Sequence, residues 1–453
     1  MRIRTPWALT LALTLASVVP VAAQTSLTIY QDGRVLQRRT LPVRVPAGSS
    51  NHRLTLGALE AGSLFALDAG VTILGAWYDP AIDQGNALRR AVGTQLTFET
   101  RGANGARELV VATVLGVDPE RYRLSDGKVV FERPGTPLFP AELVPADAAL
   151  AVALRAERAV PALGLGFFSS GASWAASYAV VLGRPAARIS GHATIAAGTL
   201  RADSAEVQLL AGDVGRAPKA QMVLRETVRA VPMAMADAVA TEAQVGESHL
   251  YTLAGRHTLI PGVETVAALF EPASAPVERT YTVRGQVPYY GGLPQFGEEQ
   301  PEPVNVTYVV KRPAKTPFGD VPIPGGTVRI YDRDPAGRPQ LIGEAAVGHT
   351  AAGQDLRLDA GTAFDLTARR TQTTYETTRQ GQRTIATATY VVNLANARDS
   401  IATIDVLEQR AGEWSVVTSS IPAEKISSTV TRFRVRVPAR GEASLTYRVR
   451  VVW

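Results

Sequence analysis

The chain has 453 residues with 39 Gly, 29 Pro and no cysteine, and only 19% of its residues are charged. That length allows roughly two to four domains, each with its own core. The missing cysteine excludes disulfides, thiolate zinc sites, iron–sulfur ligation, a cysteine nucleophile and a lipid-modified N-terminal cysteine. The formal charge of +6 shrinks once Arg2 and Arg4 are set aside with the leader, leaving 45 basic against 41 acidic residues.

Residues 1–23 read as a secretory signal. Arg2 and Arg4 form a basic start, Trp7 to Val19 an apolar run, and Val21 and Ala23 are the small residues before a cleavage point after Ala23. The apolar run is short of the roughly 20 residues that a spanning helix needs. The expected location is therefore outside the cytoplasm: periplasm, cell envelope or extracellular space.

Beyond the leader the dominant pattern is strand. Ser26 to Tyr30 alternates, turns at Asp32-Gly33 and returns through Val35 to Val45. A turn at Pro46-Ala47-Gly48 precedes Arg53 to Leu56, and Val71 to Tyr78 is a further strand. Asp79-Pro80 opens one short helical stretch that ends near Arg90 to Gly93. Four short strands follow from Gln95 to Glu132, at a spacing that fits a small Sm- or SH3-like barrel. Residues 148–228 are strand-rich, although Ala146 to Ala159 suits a helix and a strand equally. Residues 230–248 read as a linker and Gly285 to Pro303 as an inserted Gly/Pro-rich loop. From Val328 strands dominate again, including a long hairpin, Phe364 to Thr378 and Arg383 to Leu394, around Gly381. Ile401 to Glu408, Trp414 to Thr418, Arg432 to Val437 and Ala443 to Val451 complete the fold.

The expected fold is mainly β and multidomain, with small N-terminal β domains followed by a large C-terminal β-sandwich region. The pattern divides the chain into a signal peptide (1–23), an N-terminal β domain (24–83), a small barrel-like domain (84–140) and a central β region (141–284). An inserted loop and strand (285–311) and the C-terminal sandwich (312–453) follow.

Several stretches in this order resemble one bacterial family. They are Phe167-Phe168-Ser169-Ser170-Gly171-Ala172-Ser173-Trp174 through Tyr178, Leu209 to Val214, Leu250 to Leu253 before Pro261, Gly326 to Tyr331, Ile342-Gly343-Glu344, His349-Thr350 and Gly361 to Asp365. Tyr30 to Gly33, Leu41-Pro42-Val43 and Pro46-Ala47-Gly48 fit as well. Together they resemble the mucoidy-inhibitor-A-like family, whose C-terminal half is catalogued as a domain of unknown function. Phe167-Phe168-Ser169 departs from the family's tyrosine-leucine-threonine. The resemblance implies an exported, mostly β protein and supplies no catalytic residue.

No chemical motif assembles. His52, His192, His249, His257 and His349 include no His-Glu-x-x-His pair and no i, i+4 spacing. Convergence of His192, His257 and His349 in space stays open, and the plainer reading is hydrogen-bonding histidines on turns and strand faces. Gly171-Ala172-Ser173-Trp174-Ala175 misses the Gly-x-Ser-x-Gly elbow, so Ser173 reads as a turn residue with Trp174 in a core. Asp332 to Gly337 superficially matches a calcium loop, but Ala336 occupies a ligand position, which favours a hairpin turn. Asp365 has no paired carboxylate nearby in sequence.

Two strands carry alternating arginines, Arg432, Arg434 and Arg436 on one, Arg448 and Arg450 on the other. They form either a cationic face for an envelope polyanion or anionic lipid, or an ordinary solvated face neutralised by neighbours such as Glu442. Leu445, Tyr447, Val449, Val451 and Trp453 alternate like the last strand of an outer-membrane barrel, or like the closing strand of a sandwich.

The sequence thus assigns no catalytic, cofactor-binding or metal-ligating residue and no cofactor. The expected function is a non-enzymatic binding or assembly module. Its partner would be an envelope protein or a polyanion, without nucleic acid and without a transmembrane helix after signal cleavage. The alternatives are a hydrolase or carbohydrate-active enzyme with a site near His349 and Asp365, and an outer-membrane-associated β protein.

Overall fold

The structure, a computed structural model, describes residues 24–80, 83–102, 105–144, 147–212, 214, 240–285, 297–410 and 412–453. The expected leader, residues 230–239 of the expected linker and 286–296 of the expected loop lie outside the described residues. The protein is mainly β, and among the described residues no helix is long and apolar enough to cross a membrane.

The chain forms two compact units that are interleaved in sequence. Of the described residues, the first takes those within 24–173, 197–208 and 256–263, and the second those within 174–196, 209–255 and 264–453. The consecutive division made from sequence pattern differs from this because alternation reports which residues of a strand face inward, not which strand pairs with it.

In the first unit, Gln24–Tyr30 and Arg34–Leu41 form the expected hairpin, with Ile29 opposite Val35 and Gly33 at φ +88° in the turn. Leu163–Ser170 pairs with the outer side of Arg34–Leu41. A second sheet places Ala149–Ala156 between Gly48–Leu54 and Val71–Asp79. Leu150, Val152 and Leu154 point inward and join Leu54, Val71, Leu163, Leu165 and Phe167 in one core. The segment that suited helix and strand equally is therefore strand. Pairing along both edges outweighs the helix propensity of its alanines, which is a weak, local preference.

Between these paired strands lies an inserted domain. Asp79 and Ala149 are register partners, so the chain leaves and returns at one place. The insertion opens with helix Gln84–Arg90, whose first turn is capped by Asp83 accepting from the Asn86 amide at 2.8 Å. Five antiparallel strands follow: Gln95–Arg101, Arg107–Val117, Glu120–Leu124, Val129–Val130 and Thr136–Leu138. The last returns beside the first, with Pro137 opposite Phe98, and among the described residues no pairing joins the two end strands. Leu88, Leu96, Phe98, Val114 and Tyr122 are its core, and the Phe98 and Tyr122 rings meet edge-on at 5.2 Å.

In the second unit, Ser173–Val181 pairs in parallel with Gly326–Arg333, which continues as a hairpin into Pro339–Val347. Thr241–Val245 and Ser248–Thr252 form a hairpin across Gly246, so the later part of the expected linker is strand. Its first arm is largely exposed and lacks apolar alternation; the order comes from its partner arm.

Residues 312–325 are held by one fully buried side chain. The Arg312 guanidinium donates to the carbonyls of Ala351 (2.9 Å), Gln354 (3.1 Å), Phe318 (3.3 and 3.4 Å) and Val321, and lies 5.1 Å from the Phe318 ring centroid. Tyr178 and Tyr251 donate to the carbonyls of Pro324 (2.7 Å) and Pro322 (3.0 Å). Burial pushes both phenols well above their ordinary pKa and lowers that of Arg312.

The C-terminal sandwich is built from two sheets. One runs in the order Leu356–Thr362, Asn305–Val310, Val277–Gly285, Ala402–Gln409, Val430–Val437, Ala423–Lys425. The other runs Gln300–Glu302, Leu366–Gln380, Arg383–Asn396, Gly441–Val452, Glu413–Ser419. The sandwich therefore recruits strands before residue 312, because Val277–Gly285 pairs in parallel with Ile404 to Glu408. Leu445, Tyr447, Val449 and Val451 are buried, and the Tyr447 ring lies tilted against Phe433 of the facing sheet, with centroids 4.9 Å apart. Their alternation is that of a sandwich strand facing a protein core.

Arg312→Met keeps the reach of the side chain and removes every donor, stranding four carbonyls. The substitution is expected to lower unfolding free energy by roughly 2–4 kcal/mol, read from the urea midpoint at unchanged slope. An unchanged midpoint contradicts the role given to Arg312.

Candidate functional site

The residues singled out for metal or acid–base chemistry are engaged locally. His52 Nε2 lies 2.9 Å from Ser50 Oγ, and His249 Nδ1 lies 2.7 Å from Glu242 Oε1. The exposed His349 accepts at Nδ1 from the Gly325 amide, at 3.1 Å. His192 is half-buried within Ala187–Ala197, and His257 opens the short strand His257–Leu259. Among the described residues no group of three His, Asp or Glu side chains is placed to hold a metal ion. Asp365 lies 3.8 Å from Arg398 Nε.

Ser173 begins a strand just after Gly171, whose φ of +102° makes the turn. Trp174 is buried and its indole donates to the Leu210 carbonyl at 3.2 Å. Asp334 closes the 332–337 hairpin, accepting from the amides of Ala336 and Arg338 at 2.9 Å each and from Arg338 Nε at 2.8 Å. Those bonds, with the Arg338 amide foremost, hold its carboxyl below the ordinary range. The loop is a turn that uses its own carboxylate.

The arginine alternation gives the most developed site. Arg432, Arg434 and Arg436 stand on the outer face of the six-stranded sheet, as do Asp405 and Glu424. Asp405 takes Arg434 at 3.0 Å and lies 3.6 Å from Arg432, which also binds Glu424 at 2.7 Å. Arg436 has neither ion pair nor hydrogen bond from its side chain among the described residues.

On the same face is a recess of about 210 Å³ lined by Arg284, Gly285, Leu407, Gln409 and Val430. Register explains its position: Arg284 and Arg432 both pair with Leu407, and Gln409 pairs with Val430. Arg284 is exposed and, like Arg436, unpaired among the described residues. Four arginines thus face two carboxylates, leaving a cationic strip beside a partly apolar recess. Arg448, on the other sheet, is tied to Glu376 at 3.1 Å and is the more ordinary case.

Behind the recess, on the inner face, sits a charged cluster. Arg370 donates to Glu302 at 2.6 and 3.1 Å, to Glu408 at 2.5 Å and to the Tyr447 hydroxyl. Arg410 Nη2 lies 3.6 Å from Glu408 Oε2. Burial opposes the charge on Arg370, but Tyr447, Glu408 and Glu302 more than offset it and raise its pKa above the ordinary value. Burial, reinforced by Glu408, keeps the Tyr447 phenol protonated. Gly285 links recess and cluster. A Cβ there would come within 2.6 Å of Glu408 Oε1 and 2.8 Å of Arg370 Nη2, so the charged groups fill the space a side chain would take.

Sequence reasoning missed Arg284, Arg370 and Glu408. The last two had a usable signal: in Leu366-Thr367-Ala368-Arg369-Arg370 and Ile404-Asp405-Val406-Leu407-Glu408 a charge stands where the alternation demands an apolar residue. Arg284 had none, because its neighbours come from a strand far along the chain.

No family model and no curated protein matches this chain.

Gly285→Ala is expected to destabilise by roughly 1–3 kcal/mol through overpacking against Glu408 and Arg370. Denaturant unfolding measures it, and an unshifted midpoint would show that the cluster yields freely.

Proposed function

We propose that the protein is an exported, non-enzymatic binding or assembly module of the bacterial cell envelope. Its sandwich engages an anionic polymer or an acidic protein surface at the Arg284 recess. The carrying observation is the strip of Arg284, Arg432, Arg434 and Arg436, which outnumbers Asp405 and Glu424 and contains two arginines without a partner among the described residues. Unpaired guanidinium groups offer pre-organised forked donors to carboxylate or phosphate without first breaking an ion pair. The signal-like residues 1–23, the cysteine-free β architecture and the motifs resembling the mucoidy-inhibitor-A-like family support placement in the envelope.

Two measurements check this reading. Expressed with residues 1–23 in a bacterial host, the protein is expected in the periplasmic fraction with Gln24 as its first residue by N-terminal sequencing. Recovery in the cytoplasm with Met1 intact contradicts export. On a sulfated-polysaccharide column, the Arg284→Gln/Arg436→Gln double variant is expected to elute at lower salt than the unaltered chain. Arg369→Gln, which removes an arginine already paired with Glu299 at 3.0 Å, serves as control. Co-elution of double variant and unaltered chain would remove the recess from consideration.

A further inference from the structure

The first unit carries a surface of different chemistry. Trp77 lies on the outer face of the three-stranded sheet and is 65% exposed, unusual for so large an apolar ring. Its neighbours on that face are small: Ala151 is its register partner on the central strand, followed by Ala153 opposite Gly75. An ideal Cβ on Gly75 would lie 3.6 Å from Trp77 Cη2 and 3.9 Å from Cζ3, so the indole reclines along the strand over the glycine. Among the described residues no aromatic ring or guanidinium stacks on it. The result is a flat aromatic plate on a low, rigid floor.

The polar groups around the plate make no side-chain hydrogen bond or ion pair among the described residues, although the Arg53 charge acts on the Asp79 carboxyl. Across Ala151 from Trp77 stands Arg53, and across Ala153 from Gly75 stands Asn51. Arg155 lies further along the central strand between Ser49 and Thr72. All three are exposed, and none makes a side-chain hydrogen bond or ion pair among the described residues. Asp79, the nearby carboxylate, is taken by Arg90 at 2.5 Å. Arg53 stands two strand spacings from Trp77, roughly 10 Å.

We infer that this face is a binding site for an acidic polysaccharide. One sugar ring stacks on Trp77, while carboxylate or phosphate groups of neighbouring sugars meet Arg53 and Arg155, and Asn51 bonds to hydroxyls. Ring stacking calls for an exposed flat π face, and the surplus of unpaired arginine selects a negatively charged chain. A purely anionic partner would not need the ring, and a neutral glycan would not need the arginines. The inference deepens the proposal of an envelope binding module and rests on residues remote in sequence from the Arg284 recess.

Isothermal titration calorimetry of the full chain tests it with three probes: oligogalacturonate, neutral cellohexaose and polyglutamate. Oligogalacturonate is expected to bind and cellohexaose to bind at least tenfold more weakly. Trp77→Ala is expected to weaken oligogalacturonate roughly tenfold, with Trp77→Phe between it and the unaltered chain. Arg53→Gln/Arg155→Gln is expected to weaken oligogalacturonate and reduce its salt dependence. Polyglutamate affinity should not respond to Trp77→Ala. Because these side chains are exposed, an unchanged melting temperature is expected and confirms that each variant is folded. The site is overturned if oligogalacturonate fails to bind, if cellohexaose binds equally, or if Trp77→Ala binds as well as the unaltered chain. Loss of oligogalacturonate binding in the Arg284→Gln/Arg436→Gln variant alone would likewise refute this site while leaving the recess standing.

Discussion

The bond from Arg370 to Glu408 joins the two sheets of the sandwich through their interior. An isolated charge in such a place is prohibitively unfavourable, so each member of the cluster depends on the others. Arg370 reaches Glu302 on its own sheet and Glu408 on the opposite one, with Tyr447 closing the set. Apolar contacts across the core are individually weak and non-directional. A forked guanidinium is directional, and a shift of one strand residue would strand a buried charge. Gly285 belongs to the same arrangement: the strand that forms the wall of the outer recess passes so close to the cluster that it carries no side chain there. The floor of the exposed site and the ionic lock are two sides of one strand end.

Much of this architecture was legible in the amino-acid sequence. The hairpins around Gly33 and Gly381, the short helix Gln84–Arg90 and the closing strands all follow from period-two alternation and helix and turn signals. What stayed hidden is pairing. Asp79 and Ala149 are neighbours across an entire inserted domain, and Tyr281 pairs with Ile404; no local pattern encodes either. The alanines of Ala149–Ala156 illustrate the same point at residue scale. Their intrinsic preference is helical, yet Leu150, Val152 and Leu154 needed the alternate geometry to reach a core supplied by distant strands.

Site residues were legible only where chemistry conflicts with pattern. The arginine alternation at 432–436 was visible, and so in principle were the inward charges at 370 and 408. Trp77 was not, because Val71 to Tyr78 reads as an ordinary apolar strand. Only the fold shows that its outer face looks onto alanine and glycine rather than onto a second layer. An aromatic residue becomes a binding group through what fails to cover it, and that is a property of the neighbours.

The parallel pairing of Val277–Gly285 with Ala402–Gln409 also has a temporal consequence. A chain emerging from a ribosome or threading through a membrane channel delivers the first strand long before the second. This one pairing cannot form until the second strand is available, and long-range pairing of this kind forms slowly. The residues that delay assembly are also those that lock it, for Glu408 arrives on that second strand.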